Sequence, residues 1–169
     1  MFISCITLPV AGLLYLRFGY VPVAVDGPVI PFEELLAGAA VQARIARDAP
    51  TKAAFPATEE NIIAGARIYR ERCVACHGLP GSTATPEAKG MFPPPPQFFE
   101  KAMGNEPVGQ NYWIVANGIR LSGMPGYRAA LSEEQLWQVT QFLAARGNLP
   151  GSAAAALAVP TPATPAPAK

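Results

Sequence analysis

The chain has 169 residues, with 13 Lys and Arg against 12 Asp and Glu, and a net charge of +1 gives no reason to propose nucleic acid or another polyanion as its partner. That length holds one domain of about 100–150 residues plus appendages. Half of the residues are hydrophobic and 15% are charged, a balance weighted by an apolar N-terminus and an Ala-rich C-terminus, so the totals describe neither middle nor ends well.

Residues Phe2 to Leu16 are almost wholly apolar, Arg17 interrupts, and Phe18 to Val25 resume. As a helix, Phe2–Leu16 covers only ~22 Å, whereas extension to Val25 gives ~36 Å and crosses a ~30 Å hydrocarbon core. Residues 1–25 are therefore expected to be a transmembrane or signal anchor, with Tyr15, Arg17 and Tyr20 near an interface. The stretch has neither the Lys/Arg-bearing start of an export signal nor a small-x-small cleavage site, which favours retention. Cys5 within it reads as a small buried hydrophobe.

Residues 26–57 form a juxtamembrane helix and linker. Pro31-Phe32-Glu33-Glu34 opens a helix that runs to about Asp48, with acids at the positive end of the dipole and Arg44 and Arg47 at the other. Leu35, Leu36, Ala39 and Ile45 make it loosely amphipathic, suited to a membrane surface, to the domain, or to a mere spacer. Residues 49–57, with Pro50 and Pro56, read as a linker.

The globular part is expected over 58–147. Thr58 is an N-cap candidate for a helix through about Arg72 that places Ile62, Ile63, Ala66 and Tyr69 on one side. A Pro- and Gly-rich region follows from Gly78 to about Gly109, with a polyproline II segment at Pro93 to Pro96 and one helical turn at Phe98 to Met103. A short apolar helix over Asn111–Asn117 is entered near Pro107 and ended by Gly118. The last helix is marked by a Ser132/Gln135 capping box, a Leu131/Leu136 staple, and helical spacing of Leu136, Val139, Thr140 and Leu143 up to Gly147. Residues 148–169 are Ala, Pro and Thr without pattern and read as a disordered tail. No strand alternation occurs, so the fold class is all-α, and three short helices are a thin core that needs a staple.

Cys73-Val74-Ala75-Cys76-His77 supplies that staple. Two thiols one helical turn apart can add across the two vinyl groups of a haem, and the following His offers its imidazole to the iron. A redox dithiol would need a strand-helix-strand setting, and none is present. A zinc site would need a fourth ligand, yet the chain has a single His and its remaining cysteine is Cys5. The cofactor is accordingly one covalent haem c with its iron. With no second His, the sixth ligand comes from Met91, Met103 or Met124, or the site stays open. Met124 is favoured because Gly123-Met124-Pro125-Gly126-Tyr127 is an irregular loop between two helices, with glycines that permit close approach. Met91 is the reserve, and Met103, just after Phe98 and Phe99, suits core filling. Arg120 and Tyr127, near Met124 in sequence, are candidates for binding the haem or its propionates.

The order of helix, Cys-x-x-Cys-His-Gly, Pro/Gly-rich loop, Gly-Ile-Arg-x-x-Gly-Met-Pro and terminal helix resembles the class I monohaem c-type cytochromes, in particular bacterial membrane-anchored ones. The resemblance covers about 58–147 and rests on Cys73, Cys76, His77 and Met124. It implies three to five short helices around one haem. It also implies a close crossing of the first and last helices of the domain, to which Gly65 and Tyr69 against Trp137 or Phe142 correspond. A loop carbonyl near a Pro is expected to bond the His ring, with Pro80 and Pro86 as candidates.

The expected work is one-electron transfer with His77 and Met124 as axial ligands, at the outer face of a membrane, since covalent haem attachment takes place outside the cytoplasm. Redox proteins, including membrane-bound respiratory complexes, are the expected partners. Two other readings remain: an electron-entry subunit of a larger oxidoreductase, and a haem enzyme or gas sensor with an open sixth site. The last lacks a distal His.

Overall fold

A computed structural model describes the backbone of residues 2–100 and 106–158, with side chains from Ile6 onward. The chain divides into two compact units, Met1–Ala39 and Ala40–Lys169. Among the described residues every regular element is helical, as the missing strand alternation predicts.

In the first unit, α1 spans Phe2–Arg17 and stops there, because the chain turns left-handed at Gly19 (φ 73°). The expected span to Val25 is thereby corrected. Sixteen residues rise about 24 Å, short of a hydrocarbon core, and among the described residues no helix is long and apolar enough to cross a membrane. Its side chains stand exposed, Leu8 at 72% and Leu13 at 65%, and Tyr15 stacks on Tyr20, just beyond the helix, with ring centroids 5.8 Å apart. The side chain of Cys5 lies outside the described residues.

Helix α2, Glu33–Asp48, begins in the first unit and ends in the second. Its boundaries follow the charges expected of it: Glu33 and Glu34 open it, and Arg44 and Arg47 pair with Asp48 at its close. Leu35 and Leu36 are exposed, and Ile45 is its one buried residue.

In the second unit, α3 spans Glu59–Arg72, with Thr58 Oγ1 accepting from the Asn61 amide at 3.3 Å. The single turns α4 (Val74–His77) and α5 (Pro86–Lys89) follow. Helix α6 is Val108–Asn117 and α7 is Glu133–Ala145, the latter opened by the expected capping box of Ser132 and Gln135. The core lies where these helices meet: Ile62, Ala66 and Tyr69 of α3, Tyr112, Val115 and Ala116 of α6, Leu136, Val139, Phe142 and Leu143 of α7.

The crossing of α3 and α7 explains Gly65. A β-carbon there would overlap the Gln138 carbonyl and Phe142, so only glycine lets the helices close, at a propensity cost of about 1 kcal/mol. Tyr69 then packs on Phe142 at 5.2 Å between ring centroids, while Trp137 stacks on Tyr112 at 4.1 Å. Phe142, of the two expected aromatics, is the one at the crossing.

Two expected boundaries move. Residues 148–169 do not begin as a pattern-free tail, because α8, Gly151–Ala158, buries Ala153 and Leu157 against the core that α3 helps build. Ala153 and Leu157 lie one turn apart on one face, and small side chains are enough for close packing. Residues 159–169 lie outside the described residues. The linker of 49–57 is irregular but held: Gln141 donates to the Phe55 carbonyl at 2.8 Å, and Ala53 and Phe55 pack on the core.

Candidate functional site

Helix α3 ends at Arg72, and its last turn passes directly into α4, with the His77 and Cys76 amides both donating to the Cys73 carbonyl. One turn of helix thus carries both thiols and the imidazole on one wall of a cavity of about 360 Å³. The chain leaves α4 through Gly78 at φ 73°, a left-handed residue that glycine adopts without strain.

The pentapeptide is tied down from four places. Tyr69 Oη donates to the Gly78 carbonyl at 2.8 Å, and Thr85 Oγ1 donates to Ala75 at 2.9 Å. Gln97 Nε2 donates to the Cys76 carbonyl at 2.8 Å and to Pro95 at 3.0 Å. His77 Nδ1 lies 2.9 Å from the Pro96 carbonyl, and its ring stacks on Phe98 at 4.5 Å and 12°. Pro80 and Pro86, the expected donors of that carbonyl, do not supply it: Pro86 instead starts α5 at a position where its missing N–H costs nothing. With Nδ1 engaged as donor, the ring's Nε2 is the nitrogen free to bind iron.

Met124 faces the same cavity from the loop after α6. Gly118 (φ 69°) ends α6 so tightly that a β-carbon would overlap Met124 O and Gly126 N. The Ile119 amide donates to Met124 O at 3.1 Å, Ser122 Oγ accepts from the Met124 amide at 3.1 Å, and the Tyr127 and Arg128 amides return to Val115 and Ala116 of α6. Met91 lines the cavity too, its sulfur against Gly123. Met103 lies outside the described residues.

Tyr127 also lines the cavity, but its hydroxyl donates to the Arg72 carbonyl at 2.9 Å, bracing the end of α3. Arg120 does not line the cavity: it is exposed, in the turn between Gly118 and Leu121. Arg72 is the arginine at the cavity. Sequence reasoning missed Pro96, Gln97 and Ser122, which act through a backbone carbonyl or on one, and Ile45, which also lines the cavity. Only the adjacency of Pro96 and Gln97 to the Phe98-Phe99 pair could have marked the first two.

Burial sets the electrostatics. It pushes the Cys73 thiol up to about 12, with Cys76 adding to the effect, and lowers the His77 pKa against the opposing influence of the Pro96 bond. Both keep the free side chains neutral, the imidazole being in the form that binds metal. A thiol pair at one-turn spacing, an imidazole with one nitrogen free, a thioether in the lining of the same cavity and further lining residues of Pro, Ile, Val and Phe fit a covalent haem.

The comparisons agree. The family model described as cytochrome c oxidase, cbb3-type, subunit III, matches residues 60–143. The thiosulfate dehydrogenase of Allochromatium vinosum is 35% identical over 86 residues, which are 50% of this chain and 31% of that protein. The chain thus matches about a third of its relative's length, and no solved structure matches it. Residues 60–143 are a class I c-type cytochrome domain, a family that carries a covalently bound c-type haem with its iron.

Proposed function

We propose that the chain is a single-electron carrier in which His77 and Met124 hold the haem iron from two sides. The observation that carries this reading is the convergence of His77, oriented by Pro96, and Met124, fixed by Ser122 and α6, on one cavity. When bound, the haem supplies an iron that cycles between two oxidation states, and saturation by two protein ligands leaves no place for a substrate. A thioether ligand raises the reduction potential, suiting a place between high-potential partners.

One exposed apolar side chain beside the cavity is compatible with transient docking. Leu121 is 94% exposed, next to Ser122 and Gly123 of the lining. The exposed apolar side chains of α1 support attachment to a membrane, with the haem domain in the periplasm or at the cell exterior and membrane-bound respiratory complexes as partners. Attachment would raise the effective concentration at such partners.

A second reading, an electron-entry subunit of a larger oxidoreductase, is favoured by the oxidase-subunit family match and by a relative that is itself a dehydrogenase. Voltammetry of the purified chain, with carbon monoxide and thiosulfate as additions, separates the cases. A carrier gives a reversible one-electron wave, binds carbon monoxide slowly and leaves thiosulfate unchanged. Rapid carbon monoxide binding, or thiosulfate oxidation by the chain alone, would overturn the carrier. Co-purification in fixed stoichiometry with an oxidoreductase selects the subunit.

A further inference from the structure

The family match begins at residue 60, yet the cavity is lined by two residues well upstream of it, Gln42 and Ile45. Ile45 is 2% exposed and is the one buried side chain of α2. An amphipathic helix on a surface buries a stripe; this helix inserts a single residue.

The segment that delivers Ile45 closes its own helix and is then seated on the domain at two points. The Ala49 amide caps the helix on Ile45 O at 2.9 Å. Pro50 then passes so close to α6 that a β-carbon at Gly109 would overlap the Pro50 carbonyl. Further on, Gln141, 2% exposed in α7, donates to Phe55 O at 2.8 Å, and a buried amide of this kind must find a partner. Nothing about a spacer requires a glycine cleared for its carbonyl or a core glutamine turned toward it.

We infer that residues 40–57 are a built wall of the haem site, with Ile45 sealing one edge of the cavity against water and Gln42 standing at its rim. The inference rests on the haem reading of the cavity and deepens it. An apolar seal lowers the local dielectric and disfavours the extra charge of ferric iron. The strap therefore holds the reduction potential up and slows electron exchange with small hydrophilic reagents.

The test uses the full-length haem protein. Ile45→Glu opens the edge, while Gly109→Val, outside the cavity lining, pushes Pro50 away without altering a residue of the site. Expected in both is a reduction potential shifted downward and a several-fold faster oxidation by hexacyanoferrate(III), with Ile45→Leu restoring both values. Haem content and the far-red absorption of the iron–thioether bond are read in parallel, so that loss of ligation is seen separately. Unchanged potential and oxidation rate in Gly109→Val and in Ile45→Glu would overturn the inference. Absence of the far-red band from the unaltered protein would overturn Met124 ligation instead and leave the strap to be judged on the potential and rate alone.

Discussion

The two sides of the haem cavity are held in different ways. The His77 side is fixed by side chains and carbonyls from separated segments: Tyr69 of α3, Thr85 before α5, and Pro96 and Gln97 in the Pro-rich loop. The Met124 side is fixed mostly by bonds within residues 115–128, largely backbone to backbone and closing a loop on its own helix, with one long-range tie from Tyr127 Oη to the Arg72 carbonyl. The first wall depends on tertiary structure. The second depends mainly on one helix end, with the single tie from Tyr127 to Arg72, so it is the side expected to open first when the protein is stressed.

Four substitutions break or sharpen that contrast. The largest effect is expected of Gly65→Val, which forces α3 from α7 and damages both sides together; chemical unfolding should show a loss of about 3 kcal/mol. Gly118→Ala should act on the Met124 side alone. A side chain in the left-handed region, set against Met124 O, should cost about 2 kcal/mol and weaken the far-red band while the haem stays attached.

Gln97→Ala should act on the other side alone. Its Nε2 bridges the Cys76 carbonyl of the pentapeptide and the Pro95 carbonyl of its own loop, so its loss should cost about 1 kcal/mol of stability. The weakened bond from His77 Nδ1–H to Pro96 O makes the imidazole a poorer electron donor, and voltammetry should show a raised potential with the far-red band intact. The smallest effect is expected of Leu121→Gly. Leu121 holds φ 61° while almost wholly exposed, so relief of that strain should stabilise the Met124 loop by about 0.5 kcal/mol.

What the sequence revealed follows the same division. Cys73, Cys76 and His77 are legible because covalent haem attachment demands fixed local spacing, and Met124 because its loop lies between two recognisable helix ends. The capping box of α7 and Thr58 at the start of α3 are local chemistry as well. Pro96 was illegible because every residue owns a carbonyl, and only the folded loop decides which one meets His77. Ile45 looked like part of a loose stripe because its partner surface is assembled from other helices. Arg120 shows the converse: nearness to Met124 in sequence placed it at the site, and one left-handed turn at Leu121 accompanies its outward course. The apolar run to Val25 was read as one span, although Gly19 and Pro22 end its helical continuity.

The contrast between the walls presupposes that His77 and Met124 are the two ligands. The most direct test is the weak far-red absorption of the ferric protein, which reports an iron–thioether bond. The band should be present in the unaltered chain and in Met91→Ala, and absent from Met124→Ala with the haem still covalently bound. A band that survives in Met124→Ala and disappears in Met91→Ala would contradict the assignment.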